Sequence, residues 1–297
     1  MSAPRQVVPG EFWMITRSTS EQRFFLRPDS ITNNIFTYCL ALAAMLFKVD
    51  VVMTIVESNH HHTIIFDPYG QFSQFMHYLH TMVARCMNVR WNRSEAFWSV
   101  QEPCVTRLLG GATVIEKMIY AASNPVKDGL VRRATEWPGL NGYRALVSGT
   151  SIRAKRPKHF FRQHGDRTPE EVTLSLVIPP VLGRPKDVIR AVREGVEQVE
   201  QEQRRIRATV LGPAAARTAS ENASPKNRRT NSGTNLRPRF AGPGDLLKPA
   251  LEIYKAFQTL YHKARQLWQT DKTTVFPAGT YWLRRFANVA IAPPETL

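Results

Sequence analysis

Long hydrophobic runs are missing from this chain. The longest, Ile35–Phe47 (IFTYCLALAAMLF), carries Thr37 and Tyr38 and falls well short of the ~20 residues a spanning helix needs. It reads as a buried helix, and no membrane partner is expected. The opening residues MSAPRQVVPG lack the charged-then-apolar pattern of a secretory signal. Cysteine is scarce: Cys39, Cys86 and Cys104 are an odd number at no metal-like spacing. Two lie in apolar helical contexts, which suits core thiols in a reducing cytoplasm. Acidic residues are also few, 24 against 40 Lys and Arg, for a net charge of +16 and a pI near 10.2. Such an excess favours a polyanionic partner, nucleic acid or an anionic surface. No repeat of fixed period is present.

What is there begins with alternating short elements. Phe12–Arg17 (FWMITR) is aromatic and β-branched and fits a strand. Ser30 is a candidate N-cap for a helix to Phe47. Val49–Glu57 reads as a strand, Ser58–Asn59 as a turn and His60–Phe66 as the next strand. Phe72–Arg90 has one apolar helical side through Phe75, Leu79, Met82, Val83 and Cys86. Thr113–Ser123 reads as a helix that Asn124–Pro125 ends. The order implies an α+β fold: a split β-α-β arrangement with an antiparallel sheet covered on one face by helices. Residues 1–150 are expected to form this domain.

Beyond it, residues 151–211 read as a basic segment, a strand at Val172–Ile178 and a helix over Pro185–Leu211. Residues 212–243 are poor in large apolar side chains and basic through Arg217, Lys226, Arg228, Arg229, Arg237 and Arg239. They are expected to be a flexible linker. Residues 244–297 read as a helix over Asp245–Thr270 and a short β unit, giving a mainly helical extension.

Two segments carry the chemistry. In SNHHH (Ser58–His62), strand alternation points His60 and His62 to one face and His61 to the other. Two imidazoles on one strand suit a divalent cation, although such a pair by itself is more often an ordinary pair of histidines. A zinc hydrolase would need a further strong ligand. His77 and His80, the nearest candidates, share a helix face and are expected to meet solvent or DNA. In YAASNP (Tyr120–Pro125), Tyr120 and Asn124 are one helical turn apart on the same side. The Asn124 carbonyl is a suitable hard ligand for Mg²⁺ or Mn²⁺. If His60, His62 and Asn124 share such an ion, the Tyr120 phenol is placed to attack a phosphodiester. Glu116, one turn earlier, is a candidate general base, with a solvated pairing to a neighbouring cation as its plainer role.

These residues resemble the REP-associated tyrosine transposases, and more broadly the single-tyrosine, His-hydrophobic-His transposases of bacterial insertion sequences. The resemblance rests on MITR at Met14–Arg17, SNHHHTII at Ser58–Ile65, FMHYLHTMVARCMN at Phe75–Asn88, FW at Phe97–Trp98 and YAASNPVKDGLV at Tyr120–Val131, with Trp137–Gly139 following. It covers roughly the first half of the chain. It implies a ferredoxin-like core and a metal-dependent enzyme of the bacterial cytoplasm, associated with the nucleoid. Such an enzyme cuts and rejoins single-stranded DNA beside hairpin-forming, palindromic repeats through a 5′-phosphotyrosine. Tyr120 becomes the nucleophile, and His60, His62 and Asn124 the metal ligands. Lys127 sits where the family has a basic residue and is a candidate phosphate contact. One departure is His61, where the family has a bulky apolar residue; a neutral, hydrogen-bonded imidazole is expected there.

For DNA contacts, Arg153–Arg167 combines cations with Phe160 and Phe161, a composition suited to single strands. Arg153, Lys155, Arg156, Lys158 and Arg162 are the candidates, with Arg17 and Arg23 near the first strand. Trp91 and Trp98 read as packing residues. A rolling-circle initiator or relaxase, a non-catalytic hairpin-binding protein, and either a monomer or a homodimer remain open.

Overall fold

The computed structural model describes residues 5–163, 168–225 and 239–293. Its core runs β1 (Glu11–Ser18), α1 (Ser30–Phe47), β2 (Asp50–Val56), β3 (His60–Asp67), α2 (Phe72–Arg90), β4 (Cys104–Leu108) and α3 (Gly111–Lys127). The sheet order β2-β3-β1-β4 is antiparallel throughout, which interleaves two split β-α-β units. The expected α+β, ferredoxin-like arrangement is therefore the observed one.

Local chemistry sets the helix ends. Asp29, not Ser30, caps α1: its carboxylate accepts from Thr32 N–H at 2.9 Å. The Asp67 carboxylate ends β3 and accepts backbone N–H groups of Tyr69, Gln71 and Phe72, which starts α2. α1 is long and apolar enough to cross a membrane, with mean hydropathy 1.4. Ten of its side chains, from Thr32 to Ala43, are buried in the core instead.

The two sheet faces build two cores. Trp13, Ile15, Val51 and Ile65 pack against α1 and α2. Cys39 and Cys86 meet there as free thiols, and burial raises the Cys39 pKa well above the ordinary range. Phe12, Met14, Met53, Ile55 and Ile64 face the other way, towards α3. The expected helical cover on one face is thus matched by α1 and α2, and the second face is covered as well.

α3 does not stop at Asn124. It continues through Pro125 to Lys127. Pro125 removes one helical N–H, but it sits in the last turn, where Ser123 Oγ bonds back to the Ile119 and Tyr120 carbonyls. The Pro125 carbonyl accepts from Leu130 and Val131, and Gly129 at φ +71° turns the chain away.

The second half is packed onto this core. α4 (Gly142–Ser148) sits against β2, and β5 (Ile152–Lys155) pairs with β6 (Glu171–Leu174) beside α1. α5 (Pro185–Ile206) lies along α3, with Val188, Val192 and Val196 in the second core. Gly195 makes this approach possible, since a Cβ there would overlap Ile119. Part of the expected linker is also structured. α6 (Pro213–Thr218) buries Ala216, and Ala219 and Ala223 accept hydrogen bonds from Arg27 and Phe24. Lys226, Arg228, Arg229 and Arg237 lie outside the described residues. β7 (Phe240–Ala241) adds to the β4 edge in parallel, and α7 (Gly244–Leu267) follows. The expected terminal β unit is instead a single bridge, Phe276 to Ile291, around the short α8 (Trp282–Ala287). Aromatic residues Tyr254, Phe257, Tyr261 and Phe276 form the small core of this last unit.

Residues 137–141 cover the outer edge of β2. Trp137 is fully buried and donates its indole N–H to the Val56 carbonyl at 2.7 Å, and Leu140 accepts from Val56 N–H. A Cβ at Gly139 would overlap both Trp137 Nε1 and the Val56 carbonyl. Gly139→Ala should therefore destabilise the chain by about 1–3 kcal/mol. A thermal melt reads this as a Tm lowered by roughly 2–4 °C per kcal/mol; an unchanged Tm would remove Trp137 as the anchor of β2.

Candidate active site

β3 starts at His60, directly after the Ser58–Asn59 turn, which Glu57 N–H closes by donating to the His60 carbonyl at 2.8 Å. Register pairs His60 with Ser18, His61 with Arg17 and His62 with Thr16. Alternation then divides the three imidazoles as their spacing predicts. His60 and His62 share the α3 face with ring centroids 4.8 Å apart, and His62 meets the Tyr120 ring at 5.4 Å. Tyr120 is 39% exposed, His60 is partly exposed and His62 is buried.

The imidazoles are held from behind. His62 Nδ1 lies 2.7 Å from Thr16 Oγ1, and His60 Nδ1 lies 2.8 Å from Asn59 Oδ1. With the protons on Nδ1, both Nε2 atoms carry a lone pair, that of His60 facing Asn124 Nδ2 at 3.1 Å. Among the described residues His62 Nε2 is buried with no hydrogen-bond partner. Burial, then His60 and His61, pushes the His62 pKa well below the ordinary histidine value, so the ring is neutral. A neutral, oriented, unpartnered imidazole nitrogen is what a metal ligand requires.

Asn124 joins the group, in an orientation that differs from the expected one. Its Nδ2 donates to Glu57 Oε1 at 2.6 Å and lies 3.1 Å from His60 Nε2. The nitrogen, not the carbonyl oxygen, therefore faces the histidine. The amide torsion is broad and roughly twofold, so a half-turn exchanges the two atoms. That half-turn sets the amide oxygen against Glu57, which suits a protonated carboxyl. Glu57 is only 2% exposed, and burial, with Asp128 adding, raises its pKa to about 8. Sequence reasoning read Glu57 merely as the end of a strand. Its signal was an acidic residue closing the apolar run VDVVMTIV, three positions before His60.

His61 lies on the other face, fully buried, as a hydrogen-bonded neutral imidazole. Nδ1 is 3.0 Å from Thr63 Oγ1 and Nε2 is 3.0 Å from His80 Nε2, and burial lowers its pKa to about 3. His80 was expected to face solvent or DNA with His77; it is buried, and only His77 is exposed. The turn of the helix between them carries His80 under Trp98, whose indole donates to the His80 carbonyl.

The remaining candidates disperse. Lys127 and Lys117 place their ammonium groups 5.2 Å and 5.9 Å from the Tyr120 ring centre. Glu116 is exposed and paired with Lys117 at 2.8 Å, its plainer role. Arg17 lies on the His61 face, over Trp98 at 5.3 Å, with its pKa lowered to about 10 by burial. Arg23 is paired with Glu21. Arg156 is buried against Glu170, and Phe161 packs on Tyr38. Arg153, Lys155, Lys158 and Arg162 are exposed, and Phe160 remains at the surface against Arg85. That segment packs beside α1, on the opposite side of the sheet from Tyr120. His164 to Arg167 lie outside the described residues.

No family model and no curated protein matches the sequence. Two solved structures are similar in part. One is a REP-associated tyrosine transposase bound to a REP hairpin: 15% identity, TM-score 0.42, 60% of this chain and 99% of that one. The other is a candidate transposase from Deinococcus radiodurans R1: 16% identity, TM-score 0.30, 40% of this chain and 95% of that one.

Two outcomes follow from the site's wiring. If the histidine pair binds Mn²⁺, Thr16→Val, which removes the group 2.7 Å from His62 Nδ1, should weaken that binding by about 10–100-fold in titration calorimetry; unaltered binding would show that Thr16 does not orient a ligand. Glu57 is neutral when folded and ionises at about pH 4.5 when unfolded, so its burial costs stability as pH rises from there to about 8. In chelator, Glu57→Gln should therefore be more stable than the native chain at pH 8, by upwards of about 1 kcal/mol. The difference should vanish below pH 4.5 in urea titrations, and equal stability at pH 8 would mean that the carboxyl is not held neutral.

Proposed function

We propose that the protein is a metal-dependent DNA strand transferase that cuts single-stranded DNA beside hairpin-forming repeats with Tyr120. The observation that carries this reading is the neutral, unpartnered His62 Nε2 beside His60 Nε2, with the exposed Tyr120 ring packed against it. The sequence resemblance supports it independently. His60, His62 and the Asn124 amide would hold Mg²⁺ or Mn²⁺, all from one chain. When bound, the ion supplies charge stabilisation to a phosphate oxygen.

The chain's own groups do the rest. Thr16 and Asn59 fix the two imidazoles, and Glu57 fixes the amide. Tyr120 Oη attacks the phosphorus, a phosphotyrosine bond forms, and the bond to the 3′ oxygen breaks. The phenol proton leaves to solvent, since Glu116 is engaged by Lys117, and the departing 3′ oxygen takes a proton to become a free hydroxyl. Lys117 and Lys127 flank the ring where the phosphate charge must be balanced. The reverse attack by a 3′-hydroxyl rejoins strands. This places the protein in the bacterial cytoplasm, at the nucleoid.

The test incubates the full chain with single-stranded hairpin DNA carrying flanking sequence and Mn²⁺. A covalent protein–DNA adduct is expected, absent in Tyr120→Phe and formed at least about 10²-fold more slowly in His62→Ala. An undiminished adduct in Tyr120→Phe would remove Tyr120 as nucleophile.

A further inference from the structure

Outside the site described above, a large feature with unassigned chemistry is a cleft of 830 Å³ between the C-terminal unit and the β4 edge of the core. Its walls come from parts distant in sequence: Arg5 near the start, Glu102 and Pro103 before β4, Arg239, and Tyr281 and Trp282 at the start of α8. The volume lies in the ~300–1,000 Å³ range of ligand sites. Three arginines, Arg5, Arg239 and Arg265, face it against one carboxylate, Glu102.

One of these cations, Arg5, is set deep, while Arg239 is exposed. Burial lowers the Arg5 pKa; Tyr281 and Glu102 act against that shift, and the like charge of Arg239 adds to it. Among the described residues neither has an ion-pair partner. Arg239 donates to the Tyr254 hydroxyl, and Arg5 stands over the Phe72 ring at 5.8 Å. The like charges of Arg5 and Arg239 repel one another, with Glu102 the one carboxylate lining the cleft, and an anion between the two guanidiniums is attracted by both. Beside them Trp282 is 58% exposed and packed on Phe286 at 4.2 Å, a large ring left open at the cleft.

We infer that this cleft binds a single-stranded nucleic acid segment, with a phosphate between Arg5 and Arg239 and a base stacked on Trp282. Cations with open aromatic rings suit unpaired strands, whose phosphates and base faces are both accessible. The cleft opens on the α2 face of the sheet, where Met76 lines it and Arg5 stands over Phe72, and it reaches the proposed chemistry around the β4 edge. β7 pairs only with Arg107 and Leu108, so the Cys104 end of the β4 edge is not covered by it. Cys104 and His62 are both in register with Thr16, which puts them two strand spacings apart, about 10 Å. A strand leaving the cleft past Pro103 rounds that edge towards His62. This inference rests on the nucleic-acid reading of the protein, not on its cleavage step.

The experiment uses the full-length chain carrying Tyr120→Phe, so that binding is read without strand transfer. A short unstructured oligodeoxynucleotide is titrated by fluorescence anisotropy at several salt concentrations. Trp282→Ala should weaken binding by about tenfold. Arg5→Gln should lower the slope of log K against log salt by ~0.7, the value for one lost single-strand phosphate contact. A blunt hairpin without a tail should bind both variants as it binds the parent. Native affinity in both variants overturns the inference, as do equal losses on tailless hairpin or equal displacement by polyglutamate. An adduct absent from the Tyr120 chain, with these binding losses intact, sinks the chemistry alone.

Discussion

Strand alternation at β3 is the constraint on which the rest depends. Three consecutive histidines are equivalent in sequence but not on a pleated strand. Pairing with β1 fixes the register, so His60 and His62 reach α3 while His61 enters the α2 core. A slip of one residue would exchange these roles and bury the pair. The register is held by the apolar pattern on both sides, with Ile64 in one core and Ile65 in the other. The two-residue turn at Ser58–Asn59 and the covering of β2 by Trp137 hold the remaining end of the hairpin.

Those features that follow from period were legible in the sequence. The first three strands, the exact span of α2, the shared face of His60 and His62 and the side of α3 carrying Tyr120 and Asn124 all follow from spacing of two or about four residues, whereas β4, β5 and β7 were not foreseen. What was not legible depends on partners far along the chain. Pro125 reads as a helix end because its local cost is visible, whereas Ser123 back-bonding and the Leu130 and Val131 bonds that accommodate it are not. His80 reads as a surface residue by its spacing from His77, and only the approach of His61 from β3 makes it a core residue. Glu57 escaped attention because its partner, Asn124, is 67 positions away. The basic composition of Arg153–Arg167 was plain, but composition does not say that β5 and β6 pack beyond α1.

The buried polar groups explain why the two sheet faces differ so much in character. On the α2 face, His61 meets Thr63 and His80 through its two ring nitrogens, while His80 Nδ1 has no partner among the described residues, and neutral imidazoles fill space that an apolar side chain would otherwise occupy. On the α3 face the hydrogen bonds are incomplete: His62 Nε2 has no partner among the described residues, and Glu57 keeps a carboxyl in the interior. Such groups cost stability. A chain selected only for folding would replace them with apolar residues, as it has done at Met53, Ile55 and Ile64 on the same face. Unpartnered polar atoms occur elsewhere too, His80 Nδ1 and Arg17 Nε among them, but beside Tyr120 a neutral imidazole nitrogen stands next to a second imidazole and a buried carboxyl, a grouping that suits a charged ligand.

The second half of the chain takes part in that preparation. α3 is held on one side by the sheet and on the other by α5, close enough at Gly195 that no side chain fits. Glu200 of α5 accepts from the backbone of Ala134, just beyond α3, and Leu211 and Gly212 bond to the carbonyls of Gly129 and Leu130. The turn that ends the tyrosine helix is thus tied to residues 66 to 82 positions later by several hydrogen bonds. A helix free to swing would need that turn loose, because helix reorientation is absorbed at its terminal residues. Here Tyr120 is set beside His62 by packing on both sides of its helix, and the histidines and the tyrosine are assembled within one chain. In the proposed reaction, preorganisation of this kind would lower the cost of bringing nucleophile and phosphate together, and it gives the C-terminal half a structural reason to be present that is independent of the nucleic-acid contact inferred for it.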